Sequence, residues 1–193
     1  YYAHQDDPDT PMDEVLHAFS ELVDAGKVKA LGASNFSAER LRQSLEMSAA
    51  RGWAAYSVLQ PEFNLIRRHR FAGALRDLCI EKNIGVLSYF GLASGFLTGK
   101  YRSKADIGKS ARGDRMTAYF TEPHMALLGV MDDIATETGA SLSQISLAWI
   151  AAQPGITAPI ASATSMEQLN ELMGSLTLEL SPDQLARLDA ARV

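Results

Sequence analysis

Residues 84–101 read IGVLSYFGLASGFLTGKY and are the most informative segment of the chain about its fold. The first part, residues 84–90, is a short apolar run flanked by turn-forming residues, which predicts a buried strand. An aromatic side chain, Tyr89, stands where this strand ends, and a glycine-rich loop follows it. Neither this strand nor any other strand predicted in the chain is followed by the Gly-x-Gly-x-x-Gly pattern that a dinucleotide-binding open sheet carries after its first strand. An open sheet of that kind is therefore disfavoured.

Four more short apolar segments predict strands, at residues 1–5, 28–34, 54–60 and 155–161. The first four of the five strands begin about 30 residues apart, which is the length of one strand–helix–strand unit. This alternation indicates an α/β protein with a parallel sheet covered by helices. Because no low-complexity segment or clear linker interrupts the chain, we expect a single domain over residues 1–193.

Helices are predicted between these strands. Thr10 followed by Pro11 predicts the start of the first helix, with Thr10 as its cap. Phe71, Leu78 and Cys79 are expected on the buried stripe of the third helix. The remaining helix starts are predicted at serine caps, namely Ser37, Ser141, Ser165 and Ser181.

Two parallel architectures compete for this chain. A doubly wound open sheet of five strands suits 193 residues, whereas a (β/α)8 TIM barrel typically needs about 250 residues. Against the open sheet, polar side chains follow every predicted strand, and barrel enzymes place their chemistry at that end of the strands. These side chains are His4, Ser34 with Asn35, Gln60, Tyr89, and Ser162 with Thr164.

The composition excludes several classes of partner and environment. Lys and Arg number 18 against 23 Asp and Glu, which leaves no basic surplus for nucleic acid. No apolar run approaches the about 20 residues of a membrane span, so we expect no membrane association. The single Cys79 excludes an internal disulfide and fits a reducing cytoplasm, and we expect it to pack in the core. No pair of histidines has metal-ligand spacing, so no metal is predicted.

Each strand-end residue has both a chemical and a structural interpretation. His4 either bonds locally within the acidic turn that follows or offers a neutral imidazole that donates to a substrate oxygen. Ser34 and Asn35 are good turn residues, and together they also suit a carboxamide. The amide of Gln60 is equally suited to a structural role and to binding a planar ligand.

The loop after the fourth strand points more strongly to a ligand. The ring of Tyr89 suits stacking on a flat heterocycle, while Ser94, Gly95 and Lys100 suit an anion approached by backbone N–H groups. Residues 162–171 enter a helix within a few positions, which predicts either a phosphate site or an ordinary helix cap. Residues 101–121 form a long loop that suits a clamp over a ligand.

Taken together and in this order, these segments resemble the aldo-keto reductase superfamily. The resemblance covers essentially the whole chain and is nearest to the bacterial and potassium-channel β-subunit-like branch. It rests on His4, residues 32–36, Gln60 with Asn64, and residues 95–101. It implies a (β/α)8 barrel that binds NADP(H), less often NAD(H), and reduces a small aldehyde or ketone by hydride transfer.

The resemblance also implies roles for individual residues. His4 corresponds to the catalytic histidine that orients the carbonyl, and Tyr89 to the aromatic that stacks on the nicotinamide ring. Ser34, Asn35 and Gln60 correspond to the ligands of its carboxamide. The pyrophosphate loop corresponds to Leu92, Ser94, Gly95 and Lys100, with Arg112 as a basic residue toward the adenosine phosphates. The adenosine contacts correspond to Ser162, Thr164, Gln168 and Glu171.

This sequence departs from the family pattern at several positions. Phe90-Gly91 replaces a common Ser-Pro, Ser162 stands where glycine is common, and Leu172 stands where an asparagine is common. The Asp, Tyr and Lys of the family's catalytic tetrad precede the histidine strand, with which this chain begins. We therefore expect the last five βα units of the barrel without the first three, which would need roughly another 100 residues.

Three functions remain open at this point. The first is a piece of an NADP(H)-dependent reductase, inactive by itself because it lacks the proton donor and prone to self-association through exposed strand edges. The second is a non-catalytic NADP(H)-binding or regulatory module. The third is a stable α/β protein without a cofactor.

Overall fold

The computed structural model describes residues 1–109 and 113–191. Its strands are β1 (Tyr2–Ala3), β2 (Leu31–Ser34), β3 (Tyr56–Gln60), β4 (Gly85–Ser88) and β5 (Ala158–Pro159). Its α-helices are α1 (Met12–Asp24), α2 (Ala38–Arg51), α3 (Ala74–Glu81), α4 (Glu122–Thr138), α5 (Leu142–Ala151), α6 (Met166–Met173) and α7 (Pro182–Ala190). Short 3-10 segments are Arg68–Phe71, Ala93–Thr98, Lys104–Lys109, Gly113–Tyr119 and Gly174–Leu176.

The strands form one sheet in the order β1-β2-β3-β4-β5. The three pairs from β1 to β4 are parallel, and Ala3, Ala33 and Leu59 lie side by side along them. Thr157 extends the sheet, because its N–H donates to the carbonyl of Val86 at 2.9 Å. A parallel sheet in which a helix follows each strand is the arrangement of successive (β/α) units. The expected α/β fold class is confirmed.

The chain divides into two compact units, each built from three separate segments. The first unit comprises Tyr1–Glu62, His69–Ser88 and Pro154–Ala158. Its core forms where apolar strand residues meet one face of α1, α2 and α3. Leu16, Leu31, Leu41, Leu59, Leu78 and Val86 are buried there, each with at most 2% of its surface exposed.

The second unit comprises Phe63–Arg68, Tyr89–Gln153 and Pro159–Val193. Its core is built mainly from α4, α5 and the loop that follows β4. The largest buried side chain is Trp149 on α5, whose ring stacks on Phe63 with centroids 5.4 Å apart. Others in this core are Phe96, Leu97, Tyr101, Leu127, Met131, Ile145 and Ile150.

The serine caps are confirmed. Ser37, Ser141, Ser165 and Ser181 each accept a hydrogen bond from the backbone N–H three residues on. At Ser141 and Ser181, the side chain of the glutamine three residues later also accepts a hydrogen bond from the serine backbone N–H, which completes a capping box. These caps are local devices, so the sequence alone identifies them.

Two helix predictions are wrong in detail. Thr10 does not cap α1, because its hydroxyl donates to the carboxylate of Asp7 at 2.7 Å, and Pro11 holds the cap position without a side-chain bond. Phe71 is buried as predicted but lies in a 3-10 turn, because Gly73 with φ +53° separates it from α3. The strands are also shorter than predicted, and β1 and β5 contain two residues each.

Candidate functional site

In the first unit, the carboxyl ends of β1, β2 and β3 bring four of the sequence-predicted residues together. The hydroxyl of Ser34 donates to the carbonyl of Gln60 at 2.7 Å. The amide of Asn35 donates to the Ser34 hydroxyl at 3.1 Å and to the carbonyl of His4 at 3.0 Å. Ser34 and Asn35 therefore join the ends of the three strands and fix the backbone at His4 and Gln60.

Two side chains in this group have no hydrogen-bond partner in the part of the chain that the structure describes. The imidazole of His4 is exposed and the amide of Gln60 is half-buried. Within residues 1–109 and 113–191, neither the imidazole nor the amide makes a hydrogen bond. An imidazole offers one donor and one acceptor, and a carboxamide offers both on the same plane. The strand ends thus present polar groups that a ligand can bind without breaking existing bonds.

The turn after His4 is held by side chains on both of its sides. Arg40, on α2, donates from Nε and Nη2 to the two carboxylate oxygens of Asp6 at 2.7 and 2.8 Å. This hydrogen bond raises the pKa of Arg40 above its ordinary value. The hydroxyl of Thr10 and the N–H of Asp9 donate to Asp7, and the Thr10 bond holds the pKa of Asp7 below its usual range. The segment that carries His4 therefore has little freedom to move.

A cleft of about 370 Å³ lies beside this turn. His4, Asp6 and Arg40 line it, together with the aromatic rings of Phe36 and Tyr56. Burial, and secondarily the charge of Asp6, raise the pKa of Tyr56 to about 12, so its phenol is neutral at physiological pH. The cleft has the volume of a small-molecule site.

We expect the Asp6–Arg40 pair to stabilise the His4 turn by about 1 kcal/mol, because a bidentate pair outweighs an ordinary surface pair although both side chains are partly exposed. The measurement is a double-mutant cycle of Asp6→Asn and Arg40→Gln in urea unfolding, repeated in 1 M salt, where the coupling should shrink. Asp9→Asn in the same turn is the control and should leave stability unchanged. Additive effects of the two substitutions would contradict the prediction.

In the second unit, Tyr89 begins the loop that follows β4. Its ring is half-buried and meets Phe90 edge-on, with centroids 5.1 Å apart. The backbone then takes left-handed conformations at Phe90, Ala93 and Ser94, which are unusual for residues with side chains. Such conformations concentrate where function demands a particular loop shape.

The glycine-rich part of this loop brings Lys100 next to Gly95. A β-carbon built on Gly95 would lie 3.5 Å from the Lys100 ammonium, and Gly95 itself has φ +97°. Ser94 and Gly95 are consecutive left-handed residues beside a cation. Backbone turns that direct successive N–H groups toward one point form concave anion sites in many proteins. The loop therefore places a backbone turn and a positive charge together, while Leu92 lies half-buried at its start.

The residues expected at the adenosine end already bond within the chain. Gln168 Oε1 accepts from both the N–H and the hydroxyl of Thr164 at 2.9 Å. Glu171 accepts from the Ser141 hydroxyl at 2.8 Å, which ties α6 to the start of α5. Ser162 is exposed and lies outside any regular element. The helix-cap interpretation accounts for these contacts of Thr164 and Gln168.

Arg112 lies outside the described residues. The loop around it is attached at both ends. Arg102 donates to both carboxylate oxygens of Asp132 on α4 at 2.7 and 2.8 Å, and Tyr119 stacks on Phe96 with centroids 5.2 Å apart. His124, which had no predicted role, lies in the first turn of α4, with Nδ1 3.0 Å from the carbonyl of Tyr119. The Tyr119–Phe96 contact joins the long loop to the loop that follows β4, and the other contacts join the long loop to α4.

Sequence reasoning missed the role of Asn64. This residue is fully buried, and its amide donates to the carbonyl of Phe90 at 2.9 Å, next to Tyr89. A polar residue between Phe63 and Leu65 is a signal of a buried turn, but the sequence does not show which carbonyl it reaches.

Among the described residues, no group of three or more His, Cys, Asp or Glu side chains is arranged to bind a metal ion. None of the described helices is long and apolar enough to cross a membrane.

A comparison with protein families gives one match that covers the chain. The model described as "Aldo/keto reductase family" matches residues 1–193. The chain belongs to the aldo/keto reductase family. The family expected from the strand-end residues is therefore confirmed, although the match does not by itself assign a role to any of them.

Individual relatives of this aldo/keto reductase chain have diverse names. L-glyceraldehyde 3-phosphate reductase of Escherichia coli is 29% identical over 98% of this chain and 56% of the relative. A probable voltage-gated potassium channel subunit beta of Oryza sativa is 30% identical over 98% of this chain and 60% of the relative. Aldo-keto reductase yakc [NADP(+)] of Schizosaccharomyces pombe is 30% identical over 94% of this chain and 53% of the relative. The chain thus spans a little over half the length of these curated relatives.

Proposed function

We propose that this chain carries the cofactor-binding and carbonyl-orienting part of an aldo/keto reductase that reduces a small aldehyde or ketone with NADPH. The observation that carries this proposal is the pair His4 and Gln60, whose side chains make no hydrogen bond to the described residues. Ser34 and Asn35 hold the backbone carbonyls of this pair at the ends of β1 and β3, on either side of β2. Family membership supports a carbonyl reductase, and one relative has NADP(+) in its name. NAD(H) is the alternative cofactor.

The residues of the first unit suit the nicotinamide end of such a cofactor. The amide of Gln60, which bonds to none of the described residues, can pair with a carboxamide, because each has a donor and an acceptor in one plane. When bound, the cofactor supplies the hydride. His4 then donates an imidazole N–H to the carbonyl oxygen, which orients the substrate and stabilises the charge that develops there. Ser34 and Asn35 hold both groups in place and complete the carboxamide site.

The residues of the second unit suit the face of the nicotinamide ring and the remainder of the cofactor. In the proposal, Tyr89 stacks on the nicotinamide ring, and the turn of Leu92, Ser94 and Gly95 with Lys100 holds the pyrophosphate. The side chains of Thr164, Gln168 and Glu171 must exchange their present bonds to reach an adenosine group. Because of these bonds within the chain, the adenosine end is the part of the proposed site that fits the cofactor least well. Arg112 and Ser162 are the further candidates there.

A second candidate is a non-catalytic cofactor-binding module. Relatives named as potassium channel β subunits favour this candidate. Carbonyl reduction also needs a proton donor, and His4, Ser34, Asn35 and Gln60 do not supply one in the proposed arrangement. Both candidate functions predict that the chain binds the cofactor, but only the reductase predicts turnover. Consumption of NADPH in the presence of a generic aldehyde separates them. In both, the buried Cys79 would remain a free thiol in a reducing cytoplasm.

We expect the 193-residue chain to bind NADPH, and Gln60→Leu to weaken binding about tenfold, the equivalent of one good hydrogen bond to a buried amide. Leucine keeps the volume of the side chain and removes its polar atoms. The measurement is a titration of NADPH and NADH followed by fluorescence. Gln43→Leu on the exposed surface of α2 is the control and should bind as the unmodified chain does. Failure of the unmodified chain to bind either cofactor would refute the proposal.

A further inference from the structure

Asn64 is a buried residue whose side-chain amide makes three hydrogen bonds close to Tyr89. None of its surface is exposed. Its Oδ1 accepts from the N–H groups of Ile66 and Arg67, both at 2.9 Å, and its Nδ2 donates to the carbonyl of Phe90 at 2.9 Å. One end of the amide therefore fixes its own turn, and the other end reaches across 26 residues to the loop that follows β4.

The carbonyl that Asn64 holds belongs to an unusual residue. Phe90 has φ +57°, a left-handed conformation that bulky side chains avoid, and nearly half of its surface is exposed. Its carbonyl accepts a second bond from the N–H of Ala93 at 2.7 Å, and the carbonyl of Tyr89 accepts from the N–H of Phe63 at 3.3 Å. Hydrogen bonds on both sides of Phe90 thus hold the backbone in a conformation that is intrinsically unfavourable for this residue.

The segment that carries Asn64 is itself firmly anchored. The ring of Phe63 stacks on Trp149, and Arg68 donates from Nε to the carbonyl of Leu65 at 2.7 Å. Leu65 is fully buried. A hydrogen bond from an anchored, buried donor restrains its acceptor more than one from a mobile surface group, because the donor has no alternative partner in water.

We infer that Asn64 is a positioning residue for Tyr89, fixing the direction in which the Tyr89 ring leaves the sheet by holding the left-handed Phe90 that follows it. This inference rests on the proposed function, in which Tyr89 stacks on the nicotinamide ring. Asn64 touches neither cofactor nor substrate in this role. It acts through the backbone of residues 89–93, which also begins the loop proposed to hold the pyrophosphate.

The two ends of the amide allow a clean test. Asn64→Asp keeps an oxygen for the N–H groups of Ile66 and Arg67 but removes the donor to Phe90. Asn64→Ser removes the amide N–H that reaches Phe90 without adding charge, and its shorter hydroxyl can still accept from the local N–H groups. It therefore covers the case in which the buried carboxylate prevents folding. Leu188→Val, a buried change on α7 of the same unit, is the control for a general loss of stability.

The measurements are an NADPH fluorescence titration at pH 8 and the 13C-labelled ring signals of Tyr89, assigned with Tyr89→Phe. We expect both Asn64 variants to bind NADPH about tenfold more weakly, with lower fluorescence of the bound nicotinamide and shifted or broadened Tyr89 signals. Leu188→Val should change none of these. Binding within twofold of the unmodified chain with unchanged Tyr89 signals would overturn the inference.

The ring signals keep this test separate from the proposed function. If the unmodified chain binds no cofactor, the proposed function fails, and the Tyr89 signals of the unliganded protein decide the inference alone. Signals that move in both Asn64 variants and stay in place in Leu188→Val support it. If neither Asn64 variant folds, the inference is overturned, because Asn64 is then a general structural residue.

Discussion

Replacing Arg68 with alanine is expected to lower the free energy of unfolding by about 3 kcal/mol. The guanidinium is half-buried, and its Nη atoms donate to the carbonyls of Leu188, Asp189 and Ala191 at 2.8 to 3.2 Å. These carbonyls lie at the end of α7, where a helix has no internal donors left to satisfy them. Alanine would leave them unpaired and would release the last helix of the chain from the segment that begins at Phe63.

The aromatic neighbour of Arg68 adds to this effect. Its guanidinium lies 5.2 Å from the ring centroid of Trp149, and the indole N–H of Trp149 donates to the Asp189 carboxylate at 2.8 Å. Burial lowers the pKa of Arg68, and the charge of Asp189 partly offsets this. Arg68→Lys should recover only part of the loss, because an ammonium cannot match a planar fork that also stacks.

Urea unfolding measures the loss, and Arg67→Ala is the matched control. Arg67 is the preceding residue, and its side chain is exposed. We expect Arg67→Ala to change stability by less than about 0.5 kcal/mol, as exposed substitutions do. Equal stability of the Arg67 and Arg68 variants would show that the carbonyls at the end of α7 find other donors at no cost.

The second large effect is a loss of stability at alkaline pH that depends on Cys79. This thiol is 1% exposed in the first unit, and burial raises its pKa to about 11. In the unfolded chain a cysteine titrates near pH 8.5. Between these two values the unfolded chain releases a proton that the folded chain keeps, so rising pH favours unfolding.

This contribution is fully present below about pH 8.5 and is lost as the pH rises toward 11, amounting to about 2 kcal/mol by pH 10. Urea unfolding of the unmodified chain and of Cys79→Ala at pH 7.5 and 10 measures it. Alanine creates a small cavity at both pH values but has no proton to lose. The free energy of unfolding of Cys79→Ala should therefore fall by about 2 kcal/mol less than that of the unmodified chain between pH 7.5 and 10. Parallel declines would mean that Cys79 is accessible to solvent in the folded protein. Stopping at pH 10 limits the contribution of Tyr56.

The parts of the fold that depend on contacts between residues close in sequence could be predicted from the sequence. Ser37 and Ser181 cap their helices because a serine hydroxyl reaches an N–H three residues away, and nothing distant competes. Thr10 looked equivalent, but Asp7 lies close enough to take its hydroxyl. The predicted strands are longer than the observed ones because an apolar run continues into the following turn, as residues 84–90 do beyond Ser88.

The candidate site could be predicted only as a set of residue types at strand ends. The partner of Glu171 is Ser141, 30 positions away, and the partner of Asn64 is Phe90, 26 positions away. No local pattern encodes such pairs, since they form only when the chain has folded. Sequence reasoning could thus identify Glu171 as a candidate but not that its carboxylate is already occupied. The resemblance predicts the candidate residues, and the geometry shows which of them, such as Glu171 and Gln168, already bond to other described residues.

The discontinuous first unit has a consequence for synthesis on the ribosome. Its last piece, Pro154–Ala158, follows Ser88 only after residues 89–153 have been made. At about 5–20 residues per second, those residues take roughly 3 to 13 seconds to translate. Until then, the backbone of Val86 lacks the N–H of Thr157, and β4 emerges as an unprotected strand edge. Slow codons or a scarce chaperone in this interval would lower the yield of folded protein without altering a single amino acid.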